Sequence, residues 1–186
     1  MAYNIKDVFY LSTSATITAS ATDNLVGSAQ LDLSAYIDPI ARGRTKGTGL
    51  AIYKVHWSLL SSSGPVPGPT EDGIVTASLQ AGLGVGDNAS GTAFTMTTAL
   101  LGNTNALNVA TASYYGAASV INADGMVPSV MPSTEVPYVI VRDNVCLVYK
   151  TKEGFEADAV ISCRIECAQI SLDQATLNQL LRTQTV

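Results

Sequence analysis

The chain has 186 residues, enough for one domain with a sizeable core. Hydrophobic residues make up 47% of it and charged residues only 13%, which excludes an intrinsically disordered chain. The net charge of −5 is spread without a long block of either sign, which excludes a basic arm for nucleic acid.

The low charge fits two readings: a surface that a partner covers, or a Thr/Ser/Asn-rich β surface that needs none. The segment Met1 to Asp7 lacks the basic start, apolar run and small-residue cleavage site of a secretion signal. No stretch approaches the roughly 18 apolar residues of a membrane helix, so a cytoplasmic product is expected. Three cysteines, Cys146, Cys163 and Cys167, are an odd number in such a chain and read as free buried thiols.

Period-two alternation dominates the sequence. Phe9, Leu11, Thr13, Ala15, Ile17 and Ala19 alternate with Ser12, Ser14, Thr16 and Thr18, which predicts a strand with one wet face. Ala29, Leu31, Leu33 and Ala35 alternate with Gln30, Asp32 and Ser34 in a second strand, which Asp38-Pro39 ends. Arg42 to Gly47 is a basic, glycine-punctuated loop. A long strand follows, with Ala51, Tyr53, Val55, Trp57 and Leu59 on one face and Ile52, Lys54, His56 and Ser58 on the other. Pro65, Pro67 and Pro69 mark Ser61 to Asp72 as an exposed loop. Val75, Ala77, Leu79 and Ala81 form the next inward face, and the glycines of Gly82 to Gly91 read as a loop.

Between Thr92 and Val130 the pattern weakens. Phe94 and Met96 indicate one strand, Leu107, Val109 and Thr111 another, and Thr97 to Leu101 a short helix; Tyr114-Tyr115-Gly116 and Ala123-Asp124-Gly125 read as turns. Tyr138 to Arg142 and Val145 to Lys150 flank Asp143-Asn144, which predicts a tight hairpin. Ala157, Ala159, Ile161, Cys163, Ile165 and Cys167 alternate with polar residues in the cleanest half-buried strand. Ser171 to Gln174 matches a capping box, followed by a short amphipathic helix carrying Leu177, Leu180 and Leu181.

Residues suited to chemistry are few. His56 is the sole histidine and sits mid-strand, where a half-exposed structural role outweighs catalysis. Cys163 and Cys167 stand ~13 Å apart on a strand, too far to share a zinc ion at about 2.3 Å from each sulfur. The glycines of Gly82 to Asp87 fit neither the dinucleotide nor the P-loop fingerprint. Arg42, Arg44 and Lys46 could hold a neighbour's carboxylate, although a three-charge loop is more often simply solvated.

The architecture resembles the small single-jelly-roll coat proteins of viruses. Leu31-Asp-Leu-Ser-Ala-Tyr-Ile-Asp-Pro39, the basic loop, and Leu50-Ala-Ile-Tyr-Lys-Val-His-Trp-Ser-Leu59 look like two early strands of such a roll. One departure is that only Lys6 precedes the first strand, so the Arg/Lys-rich arm that packages single-stranded genomes in many coat proteins is missing. The resemblance implies a shell beneath which a membrane vesicle, or a genome condensed by other proteins, could lie.

The expectation is therefore all-β: a jelly roll or β-sandwich of about eight antiparallel strands with a short C-terminal helix, one domain over 1–186. The expected function is a virion structural protein, a capsid subunit made in the host cytoplasm that assembles into a shell. It would contact copies of itself and other capsid proteins through Arg42, Arg44, Lys46, Leu177, Leu180 and Leu181. No catalytic residue, metal, cofactor or small-molecule substrate is expected. The alternative is a non-catalytic binding module, such as a carbohydrate-recognition or phage receptor-binding domain, with its site in the loops.

Overall fold

The computed structural model describes residues 7–19, 25–38, 46–61, 76–85, 108–117, 126–151, 155 and 157–184. These carry nine strands and one helix: β1 (Phe9–Ile17), β2 (Val26–Asp32), β3 (Lys46–Ser61), β4 (Thr76–Val85), β5 (Asn108–Ala117), β6 (Val127–Val130), β7 (Tyr138–Ile140), β8 (Asn144–Thr151), β9 (Ala159–Asp173) and α1 (Gln174–Thr183). One sheet has the order β1-β9-β3-β7 and the other β2-β8-β4-β5-β6.

The pairing is that of one long hairpin wrapped into two sheets. The first strand pairs with the last, β1 with β9, and the second with the one before it, β2 with β8. Next inward, β3 pairs with β7, and β4 with β5 at the hairpin's tip. All of these pairs are antiparallel. This is the jelly roll, with the short β6 added at the margin beside β5.

Alternation places the core between the sheets. Ala15 and Ile17 of β1, Ile161, Cys163, Ile165 and Cys167 of β9, and Leu147 and Tyr149 of β8 all contribute, with Phe9, Leu11, Ala29 and Leu31 packed at its border. Tyr149 also bonds the two sheets together, its hydroxyl donating to the carbonyl of Thr16 at 2.9 Å.

Several expectations need correction. β3 does not keep one face inward: Ile52 pairs with Cys167 but Lys54 with Glu166, so Tyr53 is an extra residue. This β-bulge exchanges the faces. Leu50 and Ile52 enter the core before it, and Val55 and Leu59 after it. Ala51 and Tyr53 pack instead with Ala168 on the outer side.

Gly82 to Val85 is not loop but the end of β4, where Gly82 pairs with Val148 and Gly84 with Cys146. Tyr114 to Gly116 is not a turn but part of β5. Asp143-Asn144 does not join a hairpin, since β7 pairs with β3 in one sheet and β8 with β2 and β4 in the other. The segments expected around Ser62 to Asp72, Phe94 to Leu101 and Ala123 to Gly125 lie outside the described residues.

The helix begins two residues later than the capping box implied. β9 stays paired up to Asp173, opposite Lys46. Asp173 is then the N-cap, its carboxylate accepting from the Thr176 amide at 2.8 Å. That bond leads the causes that hold the Asp173 carboxyl below its usual value.

Candidate interaction surfaces

Three surfaces of the described fold carry side chains suited to contact: the seat of α1, the outer face of the β1-β9-β3 sheet, and the margin at β6. The first holds most of the residues named from sequence. Arg42 and Arg44 lie outside the described residues, and Lys46 opens β3. Leu177 is fully buried with Val141 and Leu172, and Leu180 and Leu181 pack partly buried against that cluster.

Two glycines of β3 make room for this helix. A Cβ at Gly47 would lie 2.9 Å from a Leu177 methyl and 3.1 Å from the Asp38 carbonyl. One at Gly49 would lie 2.8 Å from Leu172 and 3.0 Å from the Ile140 carbonyl. Gly47, read from sequence as loop punctuation, and Gly49 are thus the floor on which Leu177 and Leu172 rest. Just past the helix, Gln184 is buried at 4% exposure. Its side-chain carbonyl accepts from the Val141 amide at 3.1 Å, and its amide nitrogen donates to the Val139 carbonyl at 2.7 Å.

The outer face of β1, β9 and β3 is polar and arranged in cross-strand rows. Tyr10, Glu166 and Lys54 form one row, and Ser12, Arg164 and His56 the next. Then come Ser14, Ser162 and Ser58, and finally Thr16, Val160 and Leu60. The Arg164 guanidinium lies over the Tyr10 ring, 5.3 Å from its centroid. His56 Nε2 is 3.5 Å from Glu166 Oε2, a long contact on a part-exposed surface. His56 therefore belongs to a charged surface ladder, as its polar-face position implied.

The third surface was missed by sequence reading. β6 pairs with β5 on one side and ends the sheet order on the other. All four of its residues are exposed. Val127, Val130 and the following Met131 are exposed there, and Tyr115 of the neighbouring strand β5 is exposed too. Pro128 suits an edge strand, because it has no N–H to offer a ladder. The signal present in the sequence was the valine pair around Pro128, too short for alternation to show.

The thiols are core groups. Cys163 and Cys167 lie in the central cluster, and Cys146 is buried on the opposite face of β8. Burial pushes the Cys163 and Cys167 thiols up to about 12. A thiol whose folded pKa is raised contributes stability at neutral pH that is lost as pH rises past its unfolded value near 8.5. Native protein at pH 8 should therefore resist alkylation by iodoacetamide at both positions, and unfolded protein should take label at both. Rapid labelling of Cys163 in the native state would contradict its core placement.

No protein-family model matches the chain, and no curated protein does. Among solved structures it is similar to VP1 of Trichodysplasia spinulosa-associated polyomavirus in complex with sialylated precision glycooligomers. The TM-score is 0.48 and the identity 7%, over 92% of this chain and 97% of that one. Merkel cell polyomavirus VP1 in complex with disialyllactose gives 0.45 and 8%, over 87% and 95%. The unassembled KI polyomavirus VP1 pentamer gives 0.44 and 7%, over 93% and 98%. The likeness is one of architecture alone.

Proposed function

We propose that the chain is a structural subunit of a virion that assembles with copies of itself into a shell. The observation that carries this reading is the apolar margin at β6. A strand margin with Val127, Val130 and Met131 exposed, and with no further strand beside it among the described residues, is a surface that folded monomers ordinarily blunt with charge. It stands on a chain with 13% charged residues, in a fold whose two sheets present broad lateral edges. Protein contact accounts for both features, and catalysis for neither. Other capsid proteins would meet the same margins.

The basic loop contributes in this reading by pairing Arg42, Arg44 and Lys46 with carboxylates of an adjacent subunit. Replacing all three by serine should weaken assembly, measured by light scattering and electron microscopy. The loss should be larger at low salt than at high salt, because screening already weakens exposed pairs. A chain that stays monomeric at high concentration across salt and pH, with no particle in its native source, would favour the binding-module alternative and sink the shell subunit.

A further inference from the structure

We propose that Gln184 is a removable plug on an assembly edge: it occupies β7 as a strand would, and gives way to the β6 edge of a second copy. Among the described strands, β7 is the outermost of its sheet. The Val139 carbonyl and the Val141 amide on either side of Ile140 bond to Gln184 rather than to β3. These two groups, one carbonyl and one amide, are the rung that an added strand would use. A primary amide offers the matching donor and acceptor. Gln184 places both on that rung, at 2.7 Å and 3.1 Å.

The plug is held by its own surroundings. The Gln184 backbone amide donates to the Leu180 carbonyl at 2.9 Å, and Arg142 Nη1 donates to the Gln184 carbonyl at 3.3 Å. The helix that carries it is anchored by one fully buried side chain, Leu177, while Leu180 and Leu181 stay partly exposed. Gln184 satisfies a single rung. A strand would satisfy that rung and bring its neighbours, so it can displace a side chain once its local concentration is high.

The partner follows from the fold's other margin. β6 ends its sheet with no described strand on its far side, and its exposed Val127 and Val130 would gain cover from a neighbour. An edge of one kind meeting an edge of another is a heterologous contact, and repeated copies of such a contact build a ring where the rotation between copies closes. The identity of the partner as a second copy rests on the shell-subunit reading; the plug itself does not.

Full-length wild type is compared with Gln184→Ala and with Gln184→Glu, which keeps the length but cannot donate to the Val139 carbonyl. Amide exchange at Val141 should quicken about five- to tenfold in Gln184→Ala. Sedimentation should show that variant associating at a clearly lower concentration than wild type, and adding Val127→Glu and Val130→Glu should abolish the gain. If Gln184→Ala melts without cooperativity, Gln184→Glu carries the association readout, since it loses the bond to the Val139 carbonyl while its carboxylate still accepts from the Val141 amide. Unchanged Val141 exchange would overturn the plug. A quickened amide with unchanged association would overturn the competition, and association surviving the two glutamates would overturn β6 as the partner. Particles from wild type that ignore Gln184→Ala would remove the plug and leave the shell subunit standing. Association of Gln184→Ala without any wild-type particle would do the reverse.

Discussion

Truncating Phe155 to alanine should lower the free energy of unfolding by about 3–5 kcal/mol. Phe155 lies between β8 and β9, has no exposed surface and is among the largest fully buried side chains. Its ring meets Tyr114 at a centroid distance of 6.3 Å and an interplanar angle of 56°, an edge-biased arrangement suited to aromatic quadrupoles. Removing it leaves a cavity that paired strands cannot close, because moving one strand breaks its ladder. Urea unfolding monitored at constant m-value measures the loss. A variant that unfolds at the wild-type midpoint would show that Phe155 is not a core residue.

Trp57 provides the contrast. Its position on the alternating face of β3 leads sequence reasoning to the same large penalty. In the fold Trp57 is only partly buried at the border of the core, and its indole N–H is buried with no acceptor among the described residues. Alanine there should cost about 2–3 kcal/mol, since less apolar area is lost and an unmet donor is removed with it. Phenylalanine should fall within about 1 kcal/mol of wild type for the same reason.

What the sequence made legible was whatever one wet face imposes. β1 and β9 each bury alternate residues against one core and wet the others, so their period survives in the residue order. β3 deceived because Tyr53 is apolar. Ala51, Tyr53 and Val55 keep the alternation unbroken while the bulge sends the first two outward, onto a small apolar patch around Ala168 on the otherwise polar outer face. The glycines of β4 read as loop because they bring no side chain, yet they stand in a central strand. Asp143-Asn144 has hairpin chemistry, but partner choice is a long-range matter, and β3 takes β7 away. Gln184 could not have been found at all: one glutamine in a polar tail carries no pattern, and its role comes from where α1 delivers it.

Gly27 should tolerate no side chain, and the reason lies across the ladder. Gly27 is the register partner of Tyr149, and the Tyr149 ring folds over the space that a Cβ would fill. An alanine there would overlap the phenol, including its hydroxyl. The ring cannot simply turn away, because its hydroxyl is bonded to the Thr16 carbonyl and so ties β8 to β1 in the other sheet. Gly27→Ala should therefore cost about 2–4 kcal/mol, overpacking and the loss of that bond together. Tyr149→Phe alone should cost about 1 kcal/mol, the worth of the bond. The decisive measurement is a double-mutant cycle with Tyr149→Leu. With the ring gone, alanine at Gly27 has room, so its cost should shrink and the pair should couple by about 1–3 kcal/mol. Additive effects within about 0.5 kcal/mol would mean that the clash is not what Gly27 avoids, and the tie between the two sheets would have to be sought elsewhere.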